Sequence, residues 1–129
     1  MGKLPDLSRF ELQCLRRLWQ LKEASAKEVQ DSFDEPPGYS TVRKILERLE
    51  GKGAVRRVRR RGRAWVYRST VSQTAMIRKE VRRLLDSVFD GAAGSLVAHL
   101  AEMKELSMED LRELEKQLAP RKAAKRTGR

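Results

Sequence analysis

Over the first third of the chain, hydrophobic positions recur at the spacing of an α-helix. Phe10, Leu12, Leu15, Leu18 and Trp19 keep that spacing to about Leu21, and Ser8-Arg9-Phe10-Glu11 has the S-x-x-E form of a capping box. Ser25-Ala26-Lys27-Glu28 repeats the signature and predicts a short second helix carrying Val29 and Phe33. Asp34-Glu35-Pro36-Pro37-Gly38 is a loop, because two prolines and a glycine cannot continue a helix. Val42, Ile45, Leu46 and Leu49 (i, i+3, i+4, i+7) then form the buried stripe of a third helix. Ser40 or Thr41 caps it, and Gly53 stands where a left-handed C′ residue belongs.

The period next falls towards two, imperfectly. Val55 and Val58 predict one strand and Ala64-Trp65-Val66-Tyr67 another, with Arg61-Gly62-Arg63 as the turn between them. From Ser72 helical spacing returns. Ile77, Val81, Leu84, Leu85, Val88 and Phe89 make one stripe, opposite Arg78, Lys79, Arg82 and Arg83. Gly91-Ala92-Ala93-Gly94 breaks it, Ser95 to Met103 reads as a short apolar helix, and Ser107-Met108-Glu109-Asp110 caps a last one carrying Leu111, Leu114 and Leu118. Pro120 is expected to end helical order, leaving a basic, disordered tail.

Helix, helix, helix, hairpin is the order of a winged helix-turn-helix. The fold class is therefore mainly α with a small β-hairpin. The expected organisation is a winged-helix domain over residues 1–70, a helical arm over 71–118 and a tail over 119–129. An arm of about fifty residues lies within the roughly 40–60 below which a domain seldom buries enough surface to stand alone. Its leucine-rich helices need a partner, and a second copy of the chain is the expected one. Ile77, Val81, Leu84, Leu85, Val88, Phe89, Leu96, Val97, Leu100, Leu111, Leu114 and Leu118 are the candidate dimerisation residues.

Charge changes this picture most. The chain of 129 residues has 29 lysines and arginines against 18 acids. Eleven of those bases fall between Pro36 and Thr70, opposed only by Glu47 and Glu50, so this stretch carries +9 of the formal +11. Charge packed so unevenly marks one surface for a polyanion, and a basic helix followed by an arginine-rich hairpin suits double-stranded DNA. No apolar run approaches the ~20 residues of a membrane span, and Met1-Gly2-Lys3-Leu4-Pro5-Asp6 lacks the apolar core of a signal peptide. A cytoplasmic, nucleoid-associated protein is expected, with no association with a membrane.

With the stripe of the third helix turned inward, its outward set is Ser40, Thr41, Arg43, Lys44, Glu47 and Arg48. Base reading needs donors near the start of such a helix, which selects Ser40, Thr41, Arg43 and Lys44. Arg48 and Lys52 are placed on phosphates, together with Arg59, Arg60, Arg61 and Arg63 of the hairpin and the Tyr67 hydroxyl. The plainer readings are a solvated helix face and a charged hairpin that blocks strand addition. Trp19 and Trp65 read as packing residues and Cys14 as a small buried one. His99, the single histidine, has no Cys or His cluster near it, so neither a metal site nor a cofactor is expected. Paired acids such as Glu109-Asp110 sit at a helix start, where the macrodipole accounts for them. An enzyme is not expected.

Tyr39 to Gly53 (YSTVRKILERLEGKG) and Gly62-Arg63-Ala64-Trp65-Val66-Tyr67 resemble the third helix and wing of the penicillinase-repressor family (BlaI/MecI/CopY). Gly94-Ser95-Leu96-Val97 and Glu105 to Leu111 (ELSMEDL) are similar to its dimerisation region, and the likeness runs in order from about Leu4 to Leu118. The resemblance implies a dimeric winged-helix repressor on a dyad operator. It also implies, for some members, inactivation when a membrane sensor protease cuts the dimerisation region, typically between Asn and Phe. Here the matching pair is His99-Leu100, a departure from that pattern. The copper-responsive branch carries C-terminal Cys-x-Cys motifs, and no cysteine follows Cys14, which excludes that route. The competing expectations are a non-specific architectural DNA-binding protein and, with less support for want of aromatic platforms, a structured-RNA binder.

Overall fold

The computed structural model describes residues 4–127. The chain orders as α1 (Arg9–Leu21), β1 (Glu23–Ser25), α2 (Ala26–Asp31), α3 (Tyr39–Gly51), β2 (Val55–Arg61), β3 (Ala64–Ser69), α4 (Gln73–Val88), α5 (Ala93–Glu102) and α6 (Met108–Thr127). It separates into two compact units, residues 1–80 and 81–129.

In the first unit both capping boxes form as the sequence predicts. Ser8 Oγ accepts from Glu11 N at 3.2 Å, and Glu11 Oε1 accepts from Ser8 N at 2.7 Å. Ser25 and Glu28 repeat the exchange at 3.2 and 2.8 Å. Each box satisfies N–H groups that a helix start leaves without partners. The start of α3 departs from expectation. Gly38 is its N-cap, with no side-chain cap, and Ser40 and Thr41 lie inside its first turn. Its far end closes through Gly53 at φ 78°, where Gly53 N donates to Glu50 O and Ala54 N to Leu49 O.

Sequence reading misses β1. A three-residue strand has too little length for a period, and pairing alone reveals it. It runs antiparallel to β3, which also pairs antiparallel with β2, so the sheet order is β1-β3-β2. Gly62 makes the β2–β3 turn at φ 65°. The imperfect period of β2 is a β-bulge: the register shifts between Arg57 and Arg59.

The core joins Leu7, Cys14, Leu15 and Leu18 to Val29, the stripe Val42, Ile45, Leu46 and Leu49, and Val55, Tyr67 and Met76. Trp19 packs against its edge, and its indole Nε1 donates to Ser69 Oγ at 3.0 Å and to Val71 O at 3.2 Å, fastening α1 to the end of the hairpin. The first turns of α4 also belong to this unit. Met76 is buried and Lys79 pairs with Asp6 at 2.9 Å. That is why the unit ends at Glu80 and not at the Thr70 boundary read from the sequence.

In the second unit α4 stops at Val88, and Asp90 and Gly91 beyond it both have positive φ. The Phe89 ring meets the His99 ring edge-on with centroids 5.6 Å apart. A third reciprocal cap, Ser107 with Asp110 at 3.0 Å each way, starts α6. The helix continues through Pro120 to Thr127, in place of the end at Pro120 and the disordered tail that the sequence suggests. Proline removes one N–H and crowds one carbonyl, which bends a helix without necessarily ending it. Residues 128 and 129 lie outside the described residues.

Candidate nucleic-acid interface

The alternation of α3 sorts its residues as the stripe predicts. Val42, Ile45, Leu46 and Leu49 are buried, while Ser40, Thr41, Arg43, Lys44, Glu47 and Arg48 are exposed. The four base-reading candidates therefore share one exposed surface in the first turns of α3. Tyr39, left unassigned by sequence reading, opens the helix and is also exposed.

The bulge in β2 decides which way the wing arginines face. Strict alternation would put Arg57, Arg59 and Arg61 on one face. The observed register sets Arg57 opposite Tyr67 and Arg60 opposite Trp65, but Arg59 opposite Val66 and Arg61 opposite Ala64. Residues directly opposite one another share a face, so Arg57 and Arg60 lie together with Trp65, and Arg59 and Arg61 lie on the other side. The guanidinium carbons of Arg57 and Arg60 stand 5.1 and 4.8 Å from the Trp65 ring centroid. That ring is occupied by cations and is not a free platform for a base.

Between α3 and this face of the wing lies a cleft of about 380 Å³. Arg43, Arg57, Arg60 and Arg63 line it with Tyr39 and Trp65, and Glu47 is its one acid. Arg43 reaches Glu47 at 3.9 Å and Arg57 reaches Glu50 at 3.4 Å, both through exposed or half-exposed side chains. Neither pair is closed by a hydrogen bond, so both are weak and open readily to a stronger anion. Among the described residues Lys44, Arg48, Arg56, Arg60 and Arg63 make no ion pair, so their charge is open to a ligand.

The opposite face is built differently. Glu23 on β1 takes Arg59 with one carboxylate oxygen at 2.5 Å and Arg68 with the other at 2.6 Å. Glu28 on α2 accepts from Arg61 at 2.8 Å while its other oxygen holds the Ser25 cap. Hydrogen bonding from Arg59 holds the Glu23 carboxyl below its ordinary pKa. The backbone hydrogen bond from Ser25, then Arg61, does the same for Glu28.

Two more of the residues assigned to phosphate have partners within the protein. Lys52 Nζ lies 2.7 Å from Glu11 Oε1 and 2.9 Å from Asp6 O, so it ties the end of α3 to the start of α1. Burial pushes the Glu11 carboxyl up, yet the hydrogen bonds and charge of Lys52 and Ser8 together hold it below its ordinary value. Tyr67 is buried, its ring part of the core, at the floor of the cleft. Burial also pushes the Cys14 thiol up to about 12.

The second unit presents the other set of candidates. Among its large hydrophobic side chains that are described, Leu85 is buried, whereas Val81, Leu84, Val88, Val97, Leu111, Leu114 and Leu118 are exposed; Phe89, Leu96 and Leu100 are half-buried. Ile77, in the first unit, is exposed as well. His99 and Leu100 sit within α5, where His99 Nδ1 lies 2.9 Å from Ser95 O. No helix among the described residues is long and apolar enough to cross a membrane.

The family model for the penicillinase repressor matches residues 7–120. The penicillinase repressor of Bacillus licheniformis is 28% identical over 116 residues, covering 88% of this chain and 90% of that protein. The solved DNA-binding domain of the repressor BlaI is 26% identical, with a TM-score of 0.49, over 57% of this chain and 92% of that domain. Wild-type MarR from E. coli shares the fold at 17% identity with a TM-score of 0.53, over 89% of this chain and 77% of that one.

Proposed function

The chain belongs to the penicillinase repressor family, and from that premise we propose that it is a DNA-binding repressor of transcription that acts as a dimer on a dyad operator. The observation that carries this reading is the exposed first-turn surface of α3 beside an arginine-lined cleft. Thr41, Arg43 and Lys44, with Ser40 beside them, are the base readers. Arginine offers guanine O6 and N7 a bidentate donor pair, and the threonine methyl meets the methyl of thymine. Arg48, Arg60 and Arg63 neutralise phosphates, and the buried Tyr67 ring serves to pack the wing.

Dimerisation is supported by the balance of the second unit, which leaves most of its large apolar side chains in water. A second copy burying that surface places two α3 helices on one face of the duplex, about 34 Å or a multiple of it apart. Occupancy of the dyad then excludes polymerase. Relief by a membrane sensor protease acting at His99-Leu100 requires α5 to open first, because both residues lie inside its hydrogen-bonded turns.

Selection of bound duplexes from a random pool at about 150 mM salt, read by sequencing, tests the proposal. An enriched inverted repeat is the expected result. Salt-sensitive binding with no enriched motif overturns it in favour of a non-specific architectural protein.

A further inference from the structure

The wing arginines fall into two groups that do different work. Those on the cleft face, Arg57 and Arg60, meet the Trp65 ring and, for Arg57, Glu50 at 3.4 Å without a hydrogen bond. Those on the other face are held by acids from a different part of the chain. Glu23 bridges β2 and β3 by taking Arg59 and Arg68 at once, and its side chain is only 18% exposed. Glu28 joins Arg61, at the tip end of β2, to the capping box that starts α2.

We propose that Glu23 and Glu28 form an acid latch that holds the wing in its DNA-ready position before DNA arrives, with Arg59, Arg61 and Arg68 as positioning residues and not phosphate contacts. The proposal rests on the reading of this surface as a DNA interface. A two-stranded hairpin on its own is at best marginally stable in water, and β2 carries five arginines among its seven residues, which repel one another. Pairing of β1 with β3 secures only the base of the hairpin, through Arg68, Tyr67 and Val66. The outer half, Arg59 to Ala64, has no strand beyond β2 and β3 to hold it. Two carboxylates that take three guanidinium groups remove much of the repulsion and fix the outer half to the β1–α2 corner. Because α2 and α3 pack on the same core, the latch sets the wing relative to the reading helix.

The sign of one substitution separates this role from simple charge. Glu23→Gln with Glu28→Gln raises the net charge by two. The amide oxygen that Glu28→Gln introduces still accepts from the Ser25 N–H, so α2 keeps its cap. Were the acids merely competitors for the arginines, the double variant would bind operator DNA more tightly, with a salt slope steeper by up to about three contacts at roughly 0.9 each. The latch requires the reverse. Operator affinity falls about threefold to tenfold, since ordering the wing becomes part of binding, and the slope does not steepen. Amide exchange of the free protein supplies a second readout that needs no DNA. Exchange at Arg59 to Ala64 speeds by about tenfold or more, while Val42 to Leu49 stay protected and so report an intact fold. Unchanged wing exchange, or tighter binding with a steeper slope, overturns the latch. Failure of the wild-type protein to bind duplex DNA overturns the interface reading instead and leaves the exchange test standing.

Discussion

Replacing Lys52 with methionine keeps the length of the side chain and removes its charge. Glu11 is 3% exposed at its side chain and accepts from Lys52 at 2.7 Å, so the variant leaves a buried carboxylate beside apolar groups. Breaking a fully buried pair from one side costs about 3–5 kcal/mol. The lysine is 39% exposed, and water reaches its side of the pair, which brings the expected loss to about 2 kcal/mol. For a unit of this size that lowers Tm by about 8–16 °C. The acid flank changes too. Glu11 has a depressed folded pKa, so the stability it contributes is complete above the ordinary carboxylate range and is lost as pH falls through the folded value. Without Lys52 its hydrogen bond and charge no longer hold the carboxyl down, so the pKa rises. The variant then gains stability relative to wild type as pH falls through the carboxylate range. Urea unfolding followed by circular dichroism between pH 3 and 8 measures both effects. Glu11→Gln, which keeps an acceptor for the Ser8 N–H, completes a double-mutant cycle with an expected coupling of about 1–2 kcal/mol. A Tm within about 3 °C of wild type, together with a shallower salt dependence of DNA binding, refutes the reasoning and returns Lys52 to the phosphate contacts.

Other consequences follow from the same geometry. Arg60→Ala and Arg63→Ala each lower the salt slope of DNA binding by about 0.9 per half-site, with Tm changed by less than about 3 °C; titration at several salt concentrations by fluorescence anisotropy measures both. Gly62→Ala places a side chain at φ 65° and costs about 1 kcal/mol of stability, read by thermal unfolding. Leu84→Glu with Leu114→Glu leaves the first unit folded and drives the assembly to monomer, visible by sedimentation velocity. Cys14 resists a thiol reagent at pH 8 in the native protein and reacts at once in urea, because the thiol is buried and its pKa is pushed up to about 12.

Periodicity made the helices of the first unit legible because a helix records its buried face locally. Val42, Ile45, Leu46 and Leu49 are buried where the i, i+3, i+4, i+7 spacing puts them, and all three S-x-x-E/D boxes close. The concentration of charge between Pro36 and Thr70 was likewise legible without any knowledge of contacts. The partners of individual charges stayed hidden. Nothing near Lys52 in sequence points to Glu11, 41 residues away, and nothing near Arg61 points to Glu28, 33 residues away. Sequence reading groups Lys52, Arg59 and Arg61 with the other bases of the stretch, because every arginine and lysine there looks alike until its neighbour is known.

By itself, then, the chain's pattern determined the order of helices and hairpin, the inward stripe of α3, the glycines at Gly53 and Gly62, and the concentration of bases between Pro36 and Thr70. These depend on residue type and on spacings of a few positions, which local backbone geometry converts into structure. Tertiary packing decided the rest. It created β1, which exists only as a partner of β3, and it extended the first unit to Glu80 through Met76 and Lys79. It also placed the β2 bulge that sends Arg57 and Arg59 to opposite faces. A one-residue change of register inverts every side chain beyond it, and register is a property of two strands, not of one.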